Sequence, residues 1–177
     1  MKNYIFESFR LGFRNIEQDD LPTINQMNSD PEVMAYFPST LTEDESKNFI
    51  QKIKKHDEEN GYSLWAVEIK ETSEMIGIMG LLKINFDSNI EGEIEIGWRL
   101  LKEYWHKGYA VEGANRVLEY ASEKLGAEVI YSFTATVNKP SEQVMKRIGM
   151  EYISKFDHPN VADESILKEH LLYKKSF

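Results

Sequence analysis

Cysteine is absent from the 177-residue sequence. That excludes disulfides, a thiol nucleophile and any thiolate-bound metal. Histidine is sparse: His56, His106, His158 and His170 are scattered, and no two stand at a metal-ligand spacing such as a helical pair four apart. No metal is expected. No apolar run is long enough to cross a bilayer. Charges interrupt the first residues, Met1 to Arg10, too early for the apolar stretch of a signal peptide, so a cytoplasmic protein is expected. Linkers, repeats and low-complexity stretches are also missing. Positive charge is in deficit, with 21 Lys and Arg against 30 Asp and Glu and a net charge of −9. This balance disfavours nucleic acid and anionic membranes as partners and favours cationic ligands such as amines. An anionic cofactor would need a locally basic pocket. What is present is an ordinary globular composition, 41% hydrophobic and 29% charged, at a length that suits one domain over residues 1–177.

The patterning predicts a first strand at Arg10–Asn15, then a short helix capped by Asp19 or Asp20, with Pro22 in its first turn and Leu21, Ile24 and Met27 on its apolar face. An irregular aromatic stretch with Tyr36 and Phe37 follows. Thr42 and Glu45 form a capping-box pattern for a helix with Phe49, Ile50 and Ile53 on one face, ended by Asn60-Gly61. Three strands at Leu64–Lys70, Met75–Asn85 and Glu93–Leu101 are joined by short polar turns, which argues for an antiparallel meander. Ala110, Ala114, Val117, Leu118, Ala121 and Leu125 then fall at helical spacing, with Gly126 as C-terminal cap. Val129–Ala135 is an apolar strand, Pro140–Ile148 a short helix, and Tyr152–Lys155 and His170–Lys174 closing strands. Strand, glycine turn, helix, strand is a right-handed parallel crossover. The expected fold is a mixed α/β sheet: a mostly antiparallel sheet with one parallel pair and helices on both faces.

The chemistry concentrates in Ile96-Gly97-Trp98-Arg99-Leu100-Leu101-Lys102-Glu103-Tyr104-Trp105-His106-Lys107-Gly108-Tyr109-Ala110. Here a strand runs into a turn directly before a helix. The first N–H groups of a helix have no internal partner and, with the helix dipole, favour an anion such as a phosphate. Gly108 permits close backbone approach. Lys102, His106 and Lys107 make a basic patch in an acidic protein. A glycine before a helix is also simple turn chemistry, and by itself the pattern does not choose between the two readings.

The stretch Trp105-His106-Lys107-Gly108-Tyr109-Ala110 resembles the pyrophosphate loop, Gln/Arg-x-x-Gly-x-Gly/Ala, of the GNAT superfamily of N-acetyltransferases. Trp105 stands where Gln or Arg is usual, as in the branch of ribosomal-protein N-terminal acetyltransferases, and Glu112 also fits that branch. His106 replaces a glycine, which should stiffen the loop. Asn138-Lys139-Pro140-Ser141 followed by Lys146-Arg147-Ile148-Gly149-Met150 is similar to a second segment of the branch, and Arg10-Leu11-Gly12-Phe13-Arg14 to its start. Helix design alone also explains Asn138 as cap, Pro140 near the start and Gly149 at the end.

The resemblance implies direct attack of an amine on the thioester of acetyl-CoA. It places the cofactor against Trp98, Arg99, Leu100, Trp105, His106, Lys107, Gly108, Tyr109, Ala110, Asn138, Lys139 and Ser141. It further implies that the strand ending in Trp98-Arg99-Leu100 separates from Val129–Ala135 to leave a cleft. Glu95 is the expected base and Ser141 the expected acid, although Glu93 and Glu95 could equally face solvent. Tyr36, Phe37, Trp65 and Glu93 are expected around the acceptor, with core packing the competing role for Trp65. The acceptor is a primary amine, on a protein N-terminus or on a small molecule such as a polyamine or antibiotic. A non-catalytic acyl-CoA-binding module is the alternative. A dinucleotide enzyme is disfavoured because the Gly-x-Gly-x-x-Gly run is missing. No stripe fixes an oligomeric state.

Overall fold

The computed structural model describes residues 3–177; Met1 and Lys2, at the start of the N-terminal stretch discussed above, lie outside the described residues. Strands β1 (Phe6–Glu7) and β2 (Leu11–Arg14) open the chain. A 3-10 turn at Gln18–Asp20 leads into α1 (Leu21–Ser29), and α2 spans Glu43–Asn60. The meander is β3 (Leu64–Ile69), β4 (Glu74–Lys83) and β5 (Ile94–Leu100). Then come α3 (Tyr109–Leu125), β6 (Val129–Ala135), α4 (Lys139–Arg147), β7 (Glu151–Asp157) and β8 (Glu169–Ser176).

The eight strands form one sheet in the order β1-β2-β3-β4-β5-β6-β8-β7, and every neighbouring pair is antiparallel except β5 and β6. The exception follows from the connections. Short polar turns can only reverse the chain, whereas α3 carries it back across the sheet so that β6 runs in the same direction as β5.

The capping box at Thr42 forms as expected: its hydroxyl accepts from the Glu45 N–H, and the Glu45 carboxylate accepts from the Thr42 N–H at 2.7 Å. α3 buries Ala114, Val117, Leu118 and Ala121 against Met79, Leu81, Ile96 and Ile130. Full burial of a Val or Leu side chain is worth about 1.5–3 kcal/mol. Gly113 lets this helix lie close to the sheet, since a Cβ there would sit 2.4 Å from Met79 Sδ. On the opposite face α1 and α2 cover Ala66, Ile78 and Leu64 with Ile24, Met27, Ile50 and Ile53.

Two features differ from expectation. The two-residue β1 is too short to show an alternation, yet Phe6 is buried and stacks on Phe13 at 4.5 Å and Tyr120 at 4.4 Å. The last strand, β8, inserts between β6 and β7 and pairs with β6 along its whole length, from Val129↔Ser176 to Ala135↔His170.

Candidate functional site

The parallel pair is joined at its start and parted beyond it. The only register point between β5 and β6 is Glu95↔Tyr131. One residue further on, the Ser132 hydroxyl donates to the Ile96 carbonyl at 3.2 Å, where a continuing ladder would supply a backbone N–H. The rest of β5 has β4 on one side and no strand partner on the other. Alternation makes Trp98 the next residue to turn its N–H and C=O toward the gap. Leu100 follows, but its carbonyl already accepts one hydrogen bond, from the Trp105 indole N–H at 3.0 Å.

Two helices begin at this end of the pair. Ligands of open α/β sheets bind outside the carboxyl ends of parallel strands, and the helix N-termini there point positive charge at the gap. At α3 the capping residue is Gly108, left-handed at φ 80, and no side chain caps the helix. The first helical bond is Glu112 N–H to Gly108 O at 3.1 Å, which leaves the N–H groups of Tyr109, Ala110 and Val111 without backbone partners. These free donors fit a pyrophosphate. His106 is also left-handed, at φ 60, a conformation costly for a residue with a Cβ.

The loop is braced from the N-terminal segment. The Glu112 carboxylate accepts from the Ser8 hydroxyl at 2.6 Å, the Arg10 N–H at 2.7 Å and Arg10 Nε at 2.6 Å. Burial alone would raise this carboxyl, but the bonds from Ser8 and Arg10 outweigh it and hold it below the usual carboxylate range. Arg10 also donates to the Lys107 carbonyl at 3.1 Å and lies 4.3 Å from the Tyr109 ring centroid. Ser8, Arg10 and Glu112 thus position the turn. Only the resemblance of Arg10 and Glu112 to the family hinted at this.

At α4, Asn138 accepts from the Ser141 N–H at 3.3 Å and donates to Thr134 Oγ1 at 2.8 Å, so both ends of its amide are engaged. The Ser141 hydroxyl is half-buried and has no hydrogen bond among the described residues. Lys139 is exposed and pairs with Glu142 at 3.2 Å.

β5 divides its side chains by face. Ile96 and Leu100 enter the core under α3, while Glu95, Gly97 and Arg99 face α1 and α2. Burial pushes the Glu95 carboxyl up to about 8, with no ion pair or hydrogen bond to offset it. A Cβ at Gly97 would meet nothing within 4 Å, so the floor between Glu95 and Arg99 is open. Arg99 Nη1 donates to Asn28 Oδ1 at 2.6 Å, and its guanidinium carbon lies 4.2 Å from the Phe37 ring centroid and 5.4 Å from that of Phe49. Asn28, fully buried, also donates to Ser46 Oγ at 3.2 Å and so ties α1, α2 and β5 together. The signal for it was a polar residue four after Ile24 on an apolar helix face.

The structure brings together Glu95, Trp98, Gly108, Tyr109, Ala110, Asn138 and Ser141 around the parting strands, and Phe37 on the neighbouring face. Other expectations need correction. Trp65 is a core residue: alternation in β3 turns it to the α3 face, where it packs edge-on to Phe6 and Tyr120. The Arg99 side chain faces α1 and away from the cofactor side, and the Leu100 carbonyl already accepts one hydrogen bond, from the Trp105 indole. Trp105 is turned inward and closes the loop onto β5. Lys102 is bound to Glu32, which leaves His106 and Lys107 as the exposed basic groups of the loop. Glu93 is exposed and stands just before β5, two residues ahead of Glu95. Tyr36 is half-buried in the segment between α1 and α2.

Among the described residues no group of three or more histidines or carboxylates could hold a metal ion, and no helix is long and apolar enough to cross a membrane.

Comparison with known proteins agrees with this geometry. The chain is 34% identical over 142 residues to YnaD, an uncharacterized N-acetyltransferase of Bacillus subtilis (strain 168), covering 80% of this chain and 79% of that one. A solved spermidine N-acetyltransferase from Vibrio cholerae, in complex with CoA and spermine, superposes with a TM-score of 0.75 at 21% identity, covering 94% of this chain and 95% of that one. A ribosomal L7/L12 alpha-N-protein acetyltransferase in complex with coenzyme A gives a TM-score of 0.79 at 14% identity, covering 99% and 98%. At those identities the two structural likenesses establish the fold. Residues 10–151 match the model of the acetyltransferase (GNAT) domain. On that match, over most of its length and across both the glycine turn and the Asn138 segment, the chain belongs to the GNAT acetyltransferase family.

Proposed function

We propose that the protein transfers the acetyl group of acetyl-CoA to a primary amine, with Glu95 as general base. The observation that carries this reading is the position of Glu95: a half-buried carboxyl, raised to about 8 by burial, at the point where β5 and β6 part. A base with a pKa near the working pH combines availability with driving force. A carboxyl of ordinary pKa would be a weak acceptor for an ammonium proton.

When bound, acetyl-CoA supplies the thioester carbonyl. The residues of this chain do the rest. The free N–H groups of Tyr109, Ala110 and Val111, the backbone of Gly108, and the basic side chains of His106 and Lys107 hold the pyrophosphate. The backbone of Trp98 pairs with the pantetheine arm or donates to the developing oxyanion. Glu95 takes the proton of the amine. Ser141, whose hydroxyl is unengaged, stands as the donor to the departing thiolate. Asn138 and Lys139 at the start of α4 complete the cofactor side, and Phe37 and Tyr36 wall the acceptor side. Holding the two reactants in line can account for about 7–11 kcal/mol of the barrier.

A protein N-terminal amine enters as acceptor on the strength of the Trp105–Ala110 and Asn138–Met150 motifs, which resemble the ribosomal-protein branch. The test is thiol release from acetyl-CoA against a panel of amines, including N-terminal peptides and polyamines. Saturable release that depends on both substrates supports the reading. Tight acetyl-CoA binding without turnover on any amine would replace it with a binding module.

A further inference from the structure

We propose that the acceptor carries a carboxylate besides its amine, and that Arg99 binds this carboxylate while Glu95 handles the amine. The inference rests on the reading of the Glu95 face as the acceptor site.

Arg99 is the protein's anomalous charge. In a chain of net charge −9, no carboxylate among the described residues lies within ion-pair distance of its guanidinium, and its single hydrogen bond is the one from Nη1 to Asn28 Oδ1 at 2.6 Å. Nε is buried with no partner at all. A half-buried cation left in this way is costly, and folds normally pair it or leave it in water. Burial accordingly pulls its pKa down to about 10, still well above neutral pH, so the group is charged and unsatisfied.

The unused donors have a direction. With Nη1 held by Asn28, the free edge of the guanidinium is Nε and Nη2, the side-on fork that takes a carboxylate through two parallel bonds. Phe37 covers one face of the group and is itself 40% exposed, and the buried Nε becomes reachable once the side chains around Arg99 shift. Glu95 and Arg99 share one face of β5, and four residues of strand separate their Cα atoms by about 13 Å. Gly97, midway, raises no side chain between them and has nothing above it within 4 Å. The floor therefore offers a base at one end, a guanidinium fork at the other and open space between. An amine with a carboxylate on the same short skeleton matches both ends. A polyamine matches one only, because its second ammonium would approach Arg99 as a like charge.

Two sources supply this chemistry: a free amino carboxylate, or a peptide N-terminus with an acidic residue near it. The experiment measures thiol release by the full chain with acetyl-CoA and matched acceptors: ω-amino carboxylates of increasing length and their carboxamides, N-terminal peptides with Glu or Gln at the second position, and spermidine. One matched series is expected to favour the carboxylate by about 10- to 100-fold in kcat/KM, the scale of a charged hydrogen-bond pair. Arg99→Gln is expected to collapse that ratio toward unity, and Arg99→Lys to restore part of it. The series that responds identifies the source. Equal use of carboxylate and carboxamide in both series, a preference for spermidine, or an Arg99→Gln variant that lowers both members of a pair equally would overturn the proposal. In those cases turnover abolished by Glu95→Gln would leave the acceptor site standing. Absence of thiol release with every amine would remove both readings.

Discussion

Two half-buried arginines, Arg14 and Arg99, have opposite surroundings. Arg14, on β2, donates to Asp20 through Nη1 and Nη2 at 2.7 Å each and to Glu68 through Nε at 2.7 Å, and both carboxylates are buried. These bonds hold its pKa far above the ordinary arginine value. Arg99, on β5, has one neutral amide and two aromatic rings. Both sit on strands covered by the same two helices, so burial alone does not explain the difference. The Arg14 cluster ties β2 and β3 to the turn before α1 and engages every guanidinium nitrogen internally, as a structural group does. The Glu95 and Arg99 pair are held on one strand face, too far apart to neutralise each other, and each keeps bonding capacity in reserve. The first is a complete network and the second an incomplete one, and the proposed acceptor site rests on that difference.

The comparison can be broken at its reactive end first. Glu95→Gln is expected to lower kcat by about 10²- to 10⁴-fold, the usual worth of a general base, while calorimetry records acetyl-CoA binding as before. Loss of less than a few-fold would remove Glu95 as base. Second comes stability. Arg14→Met strands two buried carboxylates and should cost about 3–5 kcal/mol in denaturant unfolding, whereas Arg99→Met leaves only the neutral Asn28 oxygen without its donor and should cost less, about 1–3 kcal/mol at most. Equal losses would erase the distinction drawn between the two arginines.

The pH dependence of stability is the third measurement. Glu95 holds its proton in the folded state up to about 8, while the unfolded chain releases it near the ordinary carboxylate value of 4.5. Stability should therefore fall as pH rises through that window and level off above it. Its full extent is on the order of 5 kcal/mol. Glu95→Gln should flatten this slope, and the activity of the parent enzyme should rise across the upper part of the same window. The smallest effect concerns the loop. His106→Gly relieves a left-handed residue at φ 60 and should stabilise by up to about 1 kcal/mol, seen as a small rise in melting temperature.

Much of the fold was legible in the sequence because its signals are local. The capping box at Thr42, Gly126 closing α3 and the apolar run of β6 depend on neighbours within a few residues, and all three lie where the pattern put them. The candidate site was legible in part. Gly108 before α3 and Asn138 before α4 stand at helix starts, which sequence marks well. The residues that went astray depend on which face of a strand meets which layer. Trp65 was counted toward the acceptor wall with core packing as the competing role, and it is core. Arg99 was counted toward the cofactor by its place in a motif, although its side chain turns to α1. The sheet order and the insertion of β8 beside β6 also lacked a sequence signal, since pairing between residues about 40 apart leaves no periodic trace.

The sequence by itself determined the two helix starts at Gly108 and Asn138, the glycine that shapes one of them, and a carboxylate two residues before Gly97. These are properties of short segments, set by backbone sterics and unpaired N–H groups. Only the tertiary structure decided that β5 and β6 part beyond Glu95, that this carboxyl is half-buried and raised to about 8, and that Arg99 lies on the same open floor without an anion of its own. Burial and pairing are relations between distant segments. They come into being when the layers close over the sheet, and on this face they leave a carboxyl raised by burial and a guanidinium bonded to one neutral amide.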